Sequence, residues 1–141
     1  VLFRSSGIRN NVFVPLANAL MQEGDTVRAK EVLTKCLKVI NPKVVPYDVY
    51  SLRLVEALYK IGMTREADDI NKLVTNNAMN LIVWMLNLDN DKLQRLMKSG
   101  ELYRAYQTAS MGIKLAQENN RPILTQEEAK LNKYLTTLQA N

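Results

Sequence analysis

The chain has 141 residues, of which 47% are hydrophobic and 23% are charged, and no linker or low-complexity run divides it. These values are typical of one globular domain, so we predict a single domain over residues 1–141. It contains no His and a single Cys, which excludes a Ser-His-Asp site and an internal disulfide. We therefore predict no metal site, no cofactor and no enzymatic activity.

The net charge of +5 comes without a basic cluster interleaved with aromatic residues, so we predict no nucleic-acid partner. No window holds eighteen consecutive apolar residues. We therefore also predict that this chain does not insert directly into a membrane.

The first helix pair is predicted over about residues 8–42. Val12, Leu16 and Leu20 form an apolar stripe at helical spacing. Gly24 follows, where a glycine can take the left-handed conformation that ends a helix. The stripe of the next helix comprises Ala29, Val32, Leu33, Cys36, Leu37 and Ile40.

The second pair is predicted over about residues 47–77, with apolar stripes on either side of Gly62. These stripes are Leu54, Leu58 and Ile61, then Ala67, Ile70 and Val74. Asp68 and Asp69 are adjacent carboxylates that point to different faces of a helix, so we interpret them as solvated charges or helix N-terminal charges rather than an acid–base or metal-binding pair. The same interpretation applies to Glu127 and Glu128.

The third pair is predicted over about residues 78–119. Asp89-Asn90-Asp91 favours a helix cap, so we expect a break there and a short helix from about Asp91 to Lys98. Met79, Trp84 and Met85 could line a ligand pocket but are more typical of a core. Gly100 then precedes a stripe of small and apolar residues, Ala105, Ala109, Ile113 and Ala116.

A closing helix is predicted over residues 125–139. Thr125 and Glu128 have the spacing of a capping box, and Leu131, Leu135 and Leu138 form an apolar stripe. Such a helix would cover the exposed end of a repeat array.

The three glycines follow one another at intervals of 38 residues, and an Ala comes five residues after each. This pattern resembles the tetratricopeptide repeat, although the small residue expected in each first helix is present only as Ala17, with Val55 and Leu93 in the later copies. The resemblance implies an all-α fold of three tetratricopeptide-like helix pairs plus a C-terminal capping helix, arranged as a right-handed α-solenoid.

A second resemblance rests on Leu16-Ala17-Asn18-Ala19-Leu20, on Val45-Pro46-Tyr47-Asp48 and on Glu56-Ala57-Leu58-Tyr59. These segments are similar to the C-terminal region of a family of multi-pass membrane proteins from Bacteroidetes whose membrane half resembles protein O-mannosyltransferases. The resemblance implies a soluble tail, membrane-associated and on the periplasmic side. It also implies that the membrane half of the same full-length chain is a candidate partner.

In tetratricopeptide repeats, exposed positions of the first helices form a groove that binds extended peptides or partner helices. The glycine register places eight residues on that face: Asn18, Gln22, Arg53, Glu56, Tyr59, Lys60, Gln94 and Lys98. We therefore predict a non-catalytic scaffold that binds a protein or peptide. The alternative is an accessory domain that recognises the acceptor or glycan of a membrane glycosyltransferase, which aromatic residues in the groove would favour.

Overall fold

The computed structural model describes residues 7–140, and these residues are all-helical with no strand. Two short segments accompany the α-helices: a π-helical segment, Arg9–Phe13, leads into the first, and a 3-10 helix, Val49–Ser51, precedes the third. The seven α-helices of this range are α1 Val14–Gln22, α2 Thr26–Val39, α3 Leu52–Lys60, α4 Thr64–Leu86, α5 Asn90–Ser99, α6 Glu101–Glu118 and α7 Thr125–Ala140. The prediction of an all-α fold is confirmed.

Three of the connections between these helices are tight turns centred on the equally spaced glycines. Gly24, Gly62 and Gly100 have φ angles of +81°, +87° and +82°. In the second turn the N–H of Gly62 donates to the carbonyl of Tyr59, and the N–H of Met63 donates to the carbonyl of Leu58. This pair of bonds is the Schellman arrangement, which satisfies the last carbonyls of a helix. Each glycine therefore ends one helix and starts the next, as predicted.

The chain forms two compact units that divide between Asn71 and Lys72, inside α4. In the first unit, α1 contacts both α2 and α3. The second helix of the first pair buries Ala29, Leu33 and Cys36, which follows the predicted stripe. Helix α3 is buried on most of its surface, including Leu54 and Leu58. The single-domain organisation stays a prediction.

The predicted stripe of the first helix is wrong. Val12 and Leu16 are 54% and 48% exposed, whereas Val14 and Ala17 are buried. Apolar residues occur on nearly every side of this segment, so helical spacing alone cannot choose the buried face. The π-helical turn before Val14 also changes the spacing, because it has more residues per turn than an α-helix.

The core of the second unit is formed by residues from α4, α6 and α7 and by Leu124, which directly precedes α7. Helix α6 contacts both α5 and α7. The predicted stripe of α6 is buried in full, and Leu131 of α7 is buried with it. The buried residues of this cluster are Ala78, Met79, Ile82, Met85, Leu102, Ala105, Ala109, Ile113, Ala116, Leu124 and Leu131.

Helix α4 runs without interruption past the boundary that was predicted between residues 77 and 78. Asn76 is accommodated inside the helix because its Nδ2 donates to the carbonyl of Lys72 at 2.9 Å. The first helix of the third pair is consequently only α5. The predicted cap lay at Asp89 or Asn90, and the N-cap is Asp89, whose side chain accepts from the N–H of Lys92 at 3.0 Å.

Among the described residues, no helix combines the length and the apolar character that a membrane span requires.

Candidate interaction surface

Helix α3 presents one polar stripe to solvent. Arg53, Glu56 and Lys60 are exposed and are spaced three and four residues apart, so they lie on one side of the helix. Lys60 Nζ lies 3.7 Å from Glu56 Oε1. Both side chains of this ion pair are more than half exposed, so the pair stabilises the helix only weakly and remains available to a partner.

Helix α1 adds two amides to the same unit. Gln22 is exposed in the last turn of α1, and Asn18, one turn earlier, is half-buried. Because α1 contacts α3, these amides and the α3 stripe belong to one packed pair of helices. We call the set Asn18, Gln22, Arg53, Glu56 and Lys60 the α1/α3 surface. It offers amides, one carboxylate and two cations, a combination that can bond peptide groups and carboxylates.

Tyr59 departs from the predicted set. It was expected on the exposed side of α3, but its side chain is only 6% exposed. Its hydroxyl donates to Asp68 Oδ1 at 2.7 Å, and Asp68 is buried as well. The interpretation of Asp68 as a solvated charge is therefore wrong, whereas Asp69 is exposed as predicted. Tyr59 and Asp68 join α3 to α4 inside the core.

Gln94 and Lys98, the last two predicted groove residues, lie on α5 of the second unit. Both are exposed, and α5 has no buried residue.

Sequence reasoning missed a buried arginine in the first unit. Arg9 is 1% exposed, and its guanidinium donates to the carbonyls of Val45 at 2.5 Å and Pro46 at 3.3 Å. The guanidinium carbon also lies 4.3 Å from the centre of the Tyr47 ring. Arg9 thereby holds the connection between α2 and α3 against the helices. One signal in the sequence could have indicated it. Pro42 and Pro46 have no backbone N–H, so this connection is poor in donors and its carbonyls need donors from elsewhere in the chain.

Cys36 lies close enough to Arg9 and Tyr47 for their charges to interact. Burial raises the pKa of the Cys36 thiol from 9.0 to about 11, and the positive charge of Arg9 lowers it in part. Burial also raises the pKa of Tyr47, again opposed by Arg9. A thiol that stays protonated at neutral pH is a poor nucleophile, which agrees with the predicted core position of Cys36.

Two further surfaces lie in the second unit. Trp84, which was predicted to be core, is 58% exposed, while Met79 and Met85 are buried as predicted. Between α6 and α7 lies a cleft whose polar lining consists of Tyr106, Ser110, Lys114, Gln117, Glu128 and Asn132. Gln117 Nε2 donates to Glu128 Oε2 at this cleft.

Within residues 7–140, no group of three or more His, Cys, Asp and Glu side chains is arranged to hold a metal ion. No protein-family model, curated protein or solved structure matches the chain.

Proposed function

We propose that this chain is a non-catalytic protein- or peptide-binding module built from tetratricopeptide-like helix pairs in a right-handed solenoid. The repeated glycine turn supports this proposal. A left-handed glycine closes each of α1, α3 and α5, and each time a second helix begins one or two residues later. Stacked helix pairs of this kind present side chains from successive helices to extended ligands.

The observation that carries the proposal is the α1/α3 surface. Most of α3 is buried, yet Arg53, Glu56 and Lys60 remain exposed on one side of it. Neighbouring α1 also exposes Gln22. A peptide crossing it would find amides for its backbone groups and Arg53 for a carboxylate, because Arg53 forms no ion pair within the part of the chain that the structure describes.

The burial of Tyr59 favours a peptide over a glycan at this surface. Sugar rings commonly stack on exposed aromatic side chains, and Tyr59 was the one aromatic residue of the predicted groove. Its ring belongs to the core. What remains is a mixture of charges and amides, which suits a peptide of mixed charge.

Recognition of a glycan or acceptor stays as a second proposal, and the cleft between α6 and α7 is the observation that favours it. Its hydroxyls and amides, together with Lys114 and Glu128, could bond a ligand rich in hydroxyl groups. We also retain the proposal that this module is the soluble tail of a larger membrane protein, with the membrane half of that protein as a candidate partner.

Site-specific photo-crosslinking tests the peptide proposal. A photoreactive amino acid in place of Gln22 or Arg53 should capture a discrete protein partner in a lysate of the source organism. The same substitution at Lys35, which is exposed on α2, is the control. The captured segment, made as a synthetic peptide, should then bind the purified chain in calorimetry.

If the peptide does not bind, or if Lys35 captures the same protein, the α1/α3 surface is not the binding site. A glycan array probed with the wild-type chain and with Asn132→Ala tests the second proposal. Binding that the substitution abolishes would support it.

A further inference from the structure

Most of the net positive charge of the chain lies on α2 and the turn that follows it. Residues 26–45 carry five basic side chains and one acidic side chain, a difference of +4, and the whole chain carries +5. All six side chains are exposed. The four lysines among them, Lys30, Lys35, Lys38 and Lys43, form no ion pair within residues 7–140. These cations are therefore available to an anionic partner.

Three strongly exposed valines lie among these lysines. Val27, Val39 and Val44 are 69%, 60% and 76% exposed. Val27 and Val39 line a depression along the outer side of α2 together with Lys30, Lys35 and Lys38, and Glu31 is its one carboxylate. Val39 and Val44 line a second depression, and Lys43 is next to Val44 in the chain. We define the α2 surface as Val27, Lys30, Lys35, Lys38, Val39, Lys43 and Val44.

The second depression is apolar, and most polar groups around it are already bonded. It has a volume of about 290 Å³ and is lined by Ile8, Phe13, Val39, Ile40, Asn41, Val44 and Val45. Asn41 Oδ1 accepts from the N–H of Lys43 at 2.9 Å. The N–H groups of Val44 and Val45 donate to the carbonyl of Asn41, and the carbonyl of Val45 accepts from Arg9. A ligand would therefore find few polar partners in this depression.

These features favour a lipid over the other anionic partners. A peptide that entered the depression would bury N–H and C=O groups without partners, which is costly. Proteins that bind single-stranded nucleic acid stack its bases on aromatic side chains, and the α2 surface has none. An anionic lipid presents a phosphate beside an apolar chain, so it complements the lysines and the valines together.

We propose that the α2 surface adsorbs to a membrane surface that contains anionic lipids. The lysines contact the phosphates, and Val39 and Val44 contact the apolar region directly below them. This arrangement needs no membrane-spanning helix. The inference goes beyond the proposed function and uses none of the residues of the α1/α3 surface. Because exposed charges provide much of the attraction, salt should weaken it.

Sedimentation of the full chain with lipid vesicles tests the adsorption. More of the chain should sediment with phosphatidylcholine vesicles that contain about one third phosphatidylglycerol than with pure phosphatidylcholine vesicles. Raising the salt concentration from about 20 mM to about 300 mM should release it. Lys35→Glu combined with Lys38→Glu should weaken adsorption at least about tenfold, because each lysine near an anionic surface contributes about fivefold.

Lys130→Glu combined with Lys133→Glu is the matched control. These two lysines are exposed on α7, are also three residues apart and lie outside the α2 surface. The control variant has the same net charge as the α2 variant, yet its adsorption should fall by less than about threefold, because its substitutions lie away from the contact. Circular dichroism of both variants verifies that they fold.

A fluorophore whose emission depends on polarity tests the contact with the apolar region. Attached to Val44→Cys, it should shift its emission to shorter wavelength when the anionic vesicles are added. Attached to Met111→Cys it should not shift, since Met111 is 50% exposed on α6 and lies outside the α2 surface. The native Cys36 is buried, so labelling is directed to the introduced thiol.

Equal sedimentation with the two kinds of vesicle overturns the proposal. An equal loss of adsorption in the two double variants also overturns it, because net charge alone would then explain the binding. If the chain adsorbs but the fluorophore at Val44→Cys does not shift, the lysines act as they would on any polyanion, such as a nucleic acid or an acidic protein. That result overturns the assignment to lipid.

Discussion

The hydroxyl of Tyr59 donates to the carboxylate of Asp68 at 2.7 Å, and both side chains are buried. A buried carboxylate depends on its donors, because it has lost its contact with water. Tyr59 comes from α3 and Asp68 from α4, so the bond crosses the Gly62 turn and fixes the two helices of the second pair in register. The turn and the bond therefore specify the same pairing of helices.

Tyr59→Phe should reduce the free energy of unfolding by about 1–3 kcal/mol, because it removes a donor from a buried carboxylate. Chemical denaturation monitored by circular dichroism measures this change. Tyr103→Phe is the control, since Tyr103 is 63% exposed and its loss should change stability by less than about 0.5 kcal/mol. Equal effects of the two substitutions would show that the bond to Asp68 contributes nothing specific.

Gly62→Ala should cost about 1–2 kcal/mol of stability through the backbone alone. Gly62 has a φ of +87°, but a Cβ added there would meet no atom within 4 Å, so no steric clash contributes. Gly62→Asn should cost less, because Asn tolerates this conformation better. Asn120, with a φ of +55°, already uses that tolerance. If Gly62→Ala and Gly62→Asn both melt at the wild-type temperature, the turn does not require a left-handed residue.

Stability should fall with increasing pH through Cys36. The pKa of the Cys36 thiol is about 11 in the folded state, whereas in the unfolded chain it is near 9.0. Between these values the folded state binds more protons, so the free energy of unfolding decreases by up to about 1.4 kcal/mol per pH unit. The contribution is fully present below pH 9.0 and lost as the pH rises through about 11.

Denaturation of the wild-type chain and of Cys36→Ala at several pH values isolates this effect, because the other titrating groups are common to both chains. The stability advantage of the wild type should shrink from pH 8 to pH 10.5. A difference that stays constant over this range would contradict the buried, protonated thiol.

The features that could be predicted from the sequence are those whose physical requirement is local. A left-handed turn favours Gly, and a helix cap favours a short polar side chain such as Asp89 or Asn90, so the turns and the capped break were correctly located. The exposure of Arg53, Glu56 and Lys60 followed from helical spacing around the buried stripe of Leu54 and Leu58.

The features that could not be predicted depend on a partner distant in the sequence. Arg9 is buried because the carbonyls of Val45 and Pro46 lie beside it, 36 and 37 residues later. Tyr59 has an apolar ring and a polar hydroxyl, so helical spacing alone is consistent with either a buried or an exposed position. It is buried where its hydroxyl can donate to Asp68. The continuation of α4 past residue 77 likewise overrides the repeat period, since no Gly or Pro interrupts it.

Lys60→Glu should weaken binding of the cross-linked peptide at least about tenfold. The substitution places two carboxylates one helical turn apart, because Lys60 is one turn after Glu56, and it reverses one charge of the α1/α3 surface. Lys35→Glu makes the same change in net charge on the exposed side of α2 and should leave affinity unchanged.

A double variant, Glu56→Lys with Lys60→Glu, keeps the net charge and allows the same ion pair while it exchanges the positions of the two charges. A peptide that makes specific contacts with Glu56 and Lys60 should lose affinity for this double variant. A peptide attracted only by the net charge of the surface should bind it as well as the wild type. If Lys35→Glu disrupts binding and Lys60→Glu does not, the ligand binds α2 and the assignment to the first helices is wrong.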